Sequence, residues 1–153
     1  MRATAWYQMG FVLLVAGCTS SAEPTPFKPV TNVRLMMEAI VDPQADIIWD
    51  SVWVDITADG TEEIQPTTTE EWTAVRNSAL TLAESGNLLM MEPRAVDDSE
   101  WIRVSQLLVD VSMLAVRAAE ARNPEELFEA GTTIYSVCTN CHAKYWIDAP
   151  TRP

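Results

Sequence analysis

Histidine and cysteine are scarce in this chain, and their scarcity excludes several functions. Its 153 residues hold one histidine and three cysteines. One histidine rules out a multi-histidine metal site, and three cysteines are too few for a small disulfide scaffold. Basic residues are also short, with ten Lys and Arg against 22 Asp and Glu and a formal charge of −12. A nucleic-acid binder needs a basic face to neutralise phosphates, so that class is excluded. No run reaches eighteen apolar residues, so no segment is expected to span a membrane permanently. The chain is nevertheless 48% hydrophobic and 21% charged, ordinary figures for a chain that buries a core. Its length suits one domain rather than two.

The first residues read MRATAWYQMGFVLLVAGCTSS. A basic residue, a short apolar run from Met9 to Ala16 and small residues before Cys18 follow the order of a secretory signal. Leu14-Val15-Ala16-Gly17-Cys18 resembles the lipobox of bacterial lipoproteins. The resemblance implies a signal peptide over 1–17, acylation of Cys18, and a membrane anchor held by several acyl chains where one would bind only marginally. Residues 18–31 carry three prolines among small polar residues and are expected to form a tether below the folded domain at 32–153.

Four helical stretches follow. The first spans 33–49, capped by Thr31 or Asn32 and kinked near Asp42 by Pro43. The segment 50–66 alternates Val52, Val54 and Ile56 before the turn signal Asp59-Gly60, which suits a small hairpin or an ordered loop. The second helix spans 70–91, opened by a capping box from Thr67 or Thr68 to Glu70 or Glu71. The third spans 99–122. The fourth starts from the cap Asn123 with Pro124 at its first position and runs to Trp146. Short connections make sequential helices antiparallel, so the expected fold is all-α, an up-down-up-down four-helix bundle.

The chemistry is concentrated in Cys138-Thr139-Asn140-Cys141-His142. This spacing is that of a c-type haem attachment site. Two thiols add to the two vinyl groups of one haem edge, and the adjacent imidazole reaches the iron as proximal ligand. Cysteines three apart on a helix share a face. A thioredoxin-type dithiol would instead open a helix after a strand, and a zinc site would need a fourth ligand. With Cys18 assigned to lipid and Cys138 and Cys141 to haem, no cysteine is left over.

Placed late in the last helix, this motif resembles the class II cytochromes c, the cytochrome c-prime family. The resemblance covers roughly 32–146 in layout and rests on Cys138, Cys141 and His142, followed by Ala143-Lys144-Tyr145-Trp146. It implies one covalent haem c near the C-terminus of the last helix and a homodimer among the partners. The tether and the loop at 50–66 depart from the simplest members.

The sixth iron position decides the function. His142 lies ~6 Å from the end of the fourth helix, and Met36 and Met37 lie ~6–8 Å into the first, at the level an antiparallel layout requires. Met113 is roughly 20 Å away along its helix, and Met90 and Met91 fall on a frayed last turn. Met37 is favoured as distal ligand and Met36 is the alternative. The six tryptophans are expected in packing, with Trp146 at the haem edge, and Arg34, Arg76, Arg94 and Arg103 as solvated surface charges. The resulting expectation is a periplasmic, lipid-anchored monohaem cytochrome, not an enzyme, that transfers single electrons with periplasmic or membrane redox proteins. The alternatives are a five-coordinate haem that binds nitric oxide or another small gas, and a haem-free structural lipoprotein.

Overall fold

The computed structural model describes residues 27–145. The expected signal segment, Cys18, Trp146 and most of the expected tether lie outside the described residues. Helical structure dominates. The first helical stretch begins with α1 (Val33–Met36), passes through a π-helical segment (Met37–Val41) and continues as α2 (Asp42–Ser51). The remaining helices are α3 (Thr69–Leu89), α4 (Glu100–Ala121) and α5 (Pro124–Tyr145). Between α2 and α3 stand β1 (Trp53–Thr57) and β2 (Gly60–Ile64), an antiparallel pair in which Trp53 faces Ile64 and Asp55 faces Glu62. The segment 50–66 therefore forms a hairpin, a departure from an all-α chain in which the helical class otherwise holds. Gly60 carries φ +145°, a left-handed conformation that glycine adopts without a Cβ penalty.

The caps form where local chemistry places them. Asn32 Oδ1 accepts from the Leu35 amide at 2.8 Å, which selects Asn32 over Thr31. The box at α3 resolves to Thr68 and Glu71, with both reciprocal bonds present. Arg122, in a left-handed conformation at φ 52°, ends α4. Asn123 Oδ1 then accepts from the amides of Glu125 and Glu126, so α5 begins after a joint of two residues.

The π segment follows from Pro43. Proline has no amide hydrogen to donate and its ring crowds the preceding carbonyls, so the helix widens before it. The Asp42 amide bonds back to the Met37 carbonyl, five residues earlier. The buried positions record the inserted residue. Met36, Val41, Ala45 and Ile48 are buried, with a step of five and then steps of four and three.

Helix α3 packs on α2 and α4, and α5 packs on α4 and α2. Fully buried Leu82, Ala79, Ala115, Leu127 and Ile134 form the core between them. Helices α3 and α4 approach closely at Gly86, where an added Cβ would lie 2.7 Å from the Ser105 carbonyl oxygen and 2.7 Å from Val109 Cγ2. Two surface assignments are corrected. Arg94 is buried, because its guanidinium donates to the carbonyls of Thr31 and Leu88 and to Thr31 Oγ1, which joins the α3–α4 connection to the start of α1. Arg76 is half-buried, with Nε out of solvent. Arg34 and Arg103 are exposed, each paired with a glutamate on its own helix. Trp72 and Trp101 are core residues, whereas Trp53 is exposed on the hairpin.

Gly86→Ala tests the close approach. In an open helix this change gains up to about 1 kcal/mol of helix propensity. Here it is expected to lower the unfolding free energy by roughly 1–3 kcal/mol, measured as a reduced denaturant midpoint.

Candidate functional site

Helix α5 carries an apolar stripe of Leu127, Ala130, Ile134 and Val137, all buried. Cys138 and Cys141 prolong that stripe at helical spacing, with His142 beside it. Over these last turns Cys138, Cys141 and His142 line one cavity of about 680 Å³. Its opposite walls are Met37, Val41, Ala45 and Trp49 from the first helical stretch, with Leu89 from α3 and Val104 and Leu108 from α4. The lining is mostly apolar, and the size is that of a cofactor pocket.

All three motif residues are half-buried, and their environment sets their protonation. Burial, the neighbouring Cys141 and the Asp42 carboxylate push the Cys138 thiol up to about 11. Burial and then Glu100 raise that of Cys141. Burial lowers the pKa of His142, against the opposing pull of Asp42, and favours a neutral imidazole. Both cysteines are free thiols. Raised thiols are the reverse of the lowered ones that redox dithiols use, so a thioredoxin-type role fits this site poorly. Among the described residues no three His, Cys, Asp or Glu side chains converge as a set for a bare metal ion. Two neutral thiols and a neutral imidazole facing an apolar cavity of this size do fit a covalently attached haem.

The two methionine candidates separate. Met36 is fully buried in the core. Met37 is partly buried and lines the cavity that the motif lines. Met90, Met91 and Met113 do not line it.

Three features were not anticipated from sequence. Asp42 stands in the cavity wall, although the sequence marks it only as the position of the kink before Pro43. Trp49 donates from Nε1 to the Gly131 carbonyl at 2.9 Å and meets the Tyr135 ring edge-to-face at 5.9 Å, which ties α2 to α5 along one side of the cavity. The end of α5 is held by Tyr145, whose hydroxyl donates to Asp97 Oδ2 at 2.6 Å. Asp97 also accepts from the amides of Ser99 and Trp101 at the start of α4. Trp101 meets the Tyr145 ring edge-to-face at 5.0 Å and donates to the Leu89 carbonyl. This latch ties the turn after His142 to the α3–α4 connection, and an acidic residue just ahead of a helix was its only sequence signal.

The latch titrates. Hydrogen bonds from Tyr145 and then from the Trp101 amide hold the Asp97 carboxyl near 2, below its ordinary 3.8. Burial and the bond to Asp97 push the Tyr145 hydroxyl up from 10 to about 12. The depressed carboxyl stabilises the fold above its ordinary value and loses that contribution as pH falls toward 2. The raised hydroxyl contributes below pH 10 and loses it as pH rises toward 12. Asp97→Asn is therefore expected to flatten the stability profile in both windows, measured as urea midpoint against pH. An unchanged profile would show that the latch contributes nothing.

Compared with protein-family models, curated proteins and solved structures, the chain gives no significant match.

Proposed function

We propose that the protein is a monohaem c-type cytochrome that transfers single electrons in the bacterial periplasm. The observation that carries this is the convergence of Cys138, Cys141, His142 and Met37 on one apolar cavity of about 680 Å³. Cys138 and Cys141 would hold haem c through thioether bonds, with His142 as proximal ligand and Met37 as distal ligand. When bound, the haem supplies one-electron chemistry between ferrous and ferric iron. Neutral His142 offers its ring nitrogen without first losing a proton. The apolar walls exclude water, and the Asp97–Tyr145 latch fixes the helix turn that presents the imidazole. No second histidine exists to act as an acid or base, which supports a carrier rather than an enzyme.

The proposal extends to the fold and the compartment. The two-residue joint between α4 and α5 and the pairwise helix contacts support an antiparallel four-helix bundle. Residues 1–17 serve as an export signal and Cys18 as the lipidated anchor, which leaves the domain tethered to a membrane beside its redox partners.

Export of the full chain in a host with c-type haem maturation tests the function. The expected product is coloured, keeps its haem in a denaturing gel and is heavier by one tetrapyrrole. Cys138→Ala and Cys141→Ala together should abolish the covalent adduct. Colourless wild-type protein would refute the haem assignment. Met37→Ala should convert a low-spin spectrum with a sulfur-to-iron band into a high-spin one that takes up carbon monoxide or nitric oxide. An unchanged spectrum would remove Met37 as ligand. Wild-type protein already high-spin and gas-binding would favour the sensor over the carrier.

A further inference from the structure

A second apolar groove, of about 310 Å³, opens at the base of the hairpin between α2 and α5. Trp49, Trp53, Phe128 and Tyr135 line it together with Ile48 and Val52. Its rings are open to solvent, with Phe128 54% and Tyr135 61% exposed. Aromatic residues exposed around a concavity are the composition of a protein-binding surface.

Charge defines what fits there. From Leu35 to Val75 the chain has ten Asp and Glu and no Lys or Arg. From Asn123 to Ala143 it has three Glu and again no Lys or Arg. These two stretches contain α2, the hairpin and nearly all of α5, which are the elements that build the groove. In the hairpin Asp55 lies directly opposite Glu62. Like charges in register weaken a β pair, so this arrangement works against local folding. A second copy would bring the same acidic elements against themselves, because a two-fold contact pairs identical patches.

The groove also adjoins the haem cavity. Trp49 and Tyr135 line both, so this edge-to-face pair is a shared wall. We propose that the groove is the docking site for a redox protein whose contact face has an apolar centre ringed by Lys and Arg. The proposal rests on the haem assignment for its electron-transfer meaning. The partner, a one-electron metalloprotein, would lose or gain one electron, and a haem held by Cys138, Cys141 and His142 would accept or supply that same electron. No bond is made or broken. Docking over the shared wall puts the partner against the Trp49–Tyr135 side of the cavity, and complementary charge speeds the encounter.

The test uses a lysine-rich mitochondrial cytochrome c as probe, titrated calorimetrically into the full-length protein at low and at physiological salt. Asp55→Lys places opposite charges in register with Glu62 and so does not weaken the hairpin. Asp110→Lys, on exposed α4 surface away from the groove, changes net charge equally. Asp55→Lys is expected to weaken binding about tenfold at low salt, with the difference shrinking as salt screens it, and Asp110→Lys less than about twofold. Phe128→Ala should weaken binding at both salt concentrations. Equal losses from both lysine variants would overturn the proposal, since net charge alone would then account for attraction. Absence of wild-type binding would overturn it too. So would a wild-type dimer in sedimentation that Phe128→Ala dissociates, which would assign the groove to a second copy. Calorimetry needs no haem in this chain, so failed docking and a failed haem assignment are separate results.

Discussion

The structure turns on the apolar stripe of α5 ending in two thiols and an imidazole. A stripe of Leu, Ala and Ile can be covered by neighbouring helices at organic-crystal density, and it is covered at Leu127 and Ile134. Close packing on Cys138, Cys141 and His142 would bury those groups against other side chains. The molecule is accordingly divided along the helices. Toward the end where α4 gives way to α5 the core is closed. Toward the end where α3 gives way to α4 a cavity is framed by Leu89, Val104 and Leu108 on one side and the motif on the other. A cavity with this lining loses dispersion contacts and transfer energy along its walls, so an apolar occupant would restore what the protein side chains leave unfilled.

The first helical stretch meets this division by changing its pitch. Met36 must enter the core and Met37 the cavity, yet both follow one cap at Asn32. The π segment starts at Met37 and inserts one residue, after which Val41, Ala45 and Ile48 resume burial on α2. Met37, Val41, Ala45 and Trp49 then run along the cavity at intervals of four. Pro43 therefore acts less as an interruption than as the cause of an offset. The cavity end is closed by polar ties rather than by packing alone. Arg94 gathers the carbonyls of Thr31 and Leu88, and Asp97 gathers the start of α4 and the end of α5. Both ties come from the α3–α4 connection, which makes that loop a structural part of the site.

Helix positions, their caps and the motif were legible because each is written in local sequence. Asn32, Thr68 with Glu71, and Asn123 before Pro124 are short-range signals, and helix ends fell within a residue or two of the expected ones. The sequence left Met36 as an alternative to Met37, and cavity geometry separates the two, with Met36 in the core and Met37 in the cavity lining where the π segment begins. That insertion was hidden because a helical period is assumed constant when a stripe is counted, and the five-residue step from Met36 to Val41 breaks it. Arg94 looked like a surface charge because its partners are two backbone carbonyls and the distant Thr31 hydroxyl, which no local side-chain pattern advertises. Trp53 was expected in packing only as a tryptophan, a residue type that is usually well buried, whereas β1 is exposed along its whole length.

That exposure bears on why the hairpin is there. It adds almost nothing to the core, since only Ile64 at the far end of β2 is even partly buried. It sets like charges opposite one another at Asp55 and Glu62 and leaves Val54 and Ile56 open to water. A two-stranded ribbon is marginal by itself in water, and these choices make it more so. Local features that oppose folding without a packing return tend to mark surfaces kept for another purpose. The elements on this side lack Lys and Arg over long stretches, and Trp49 and Tyr135 line both the cavity and the groove. Exposed aromatics, acidic sequence and the shared lining coincide on the elements α2, the hairpin and α5. Stability gives no reason for that coincidence, and the proposed recognition of a basic partner beside the proposed haem site gives one.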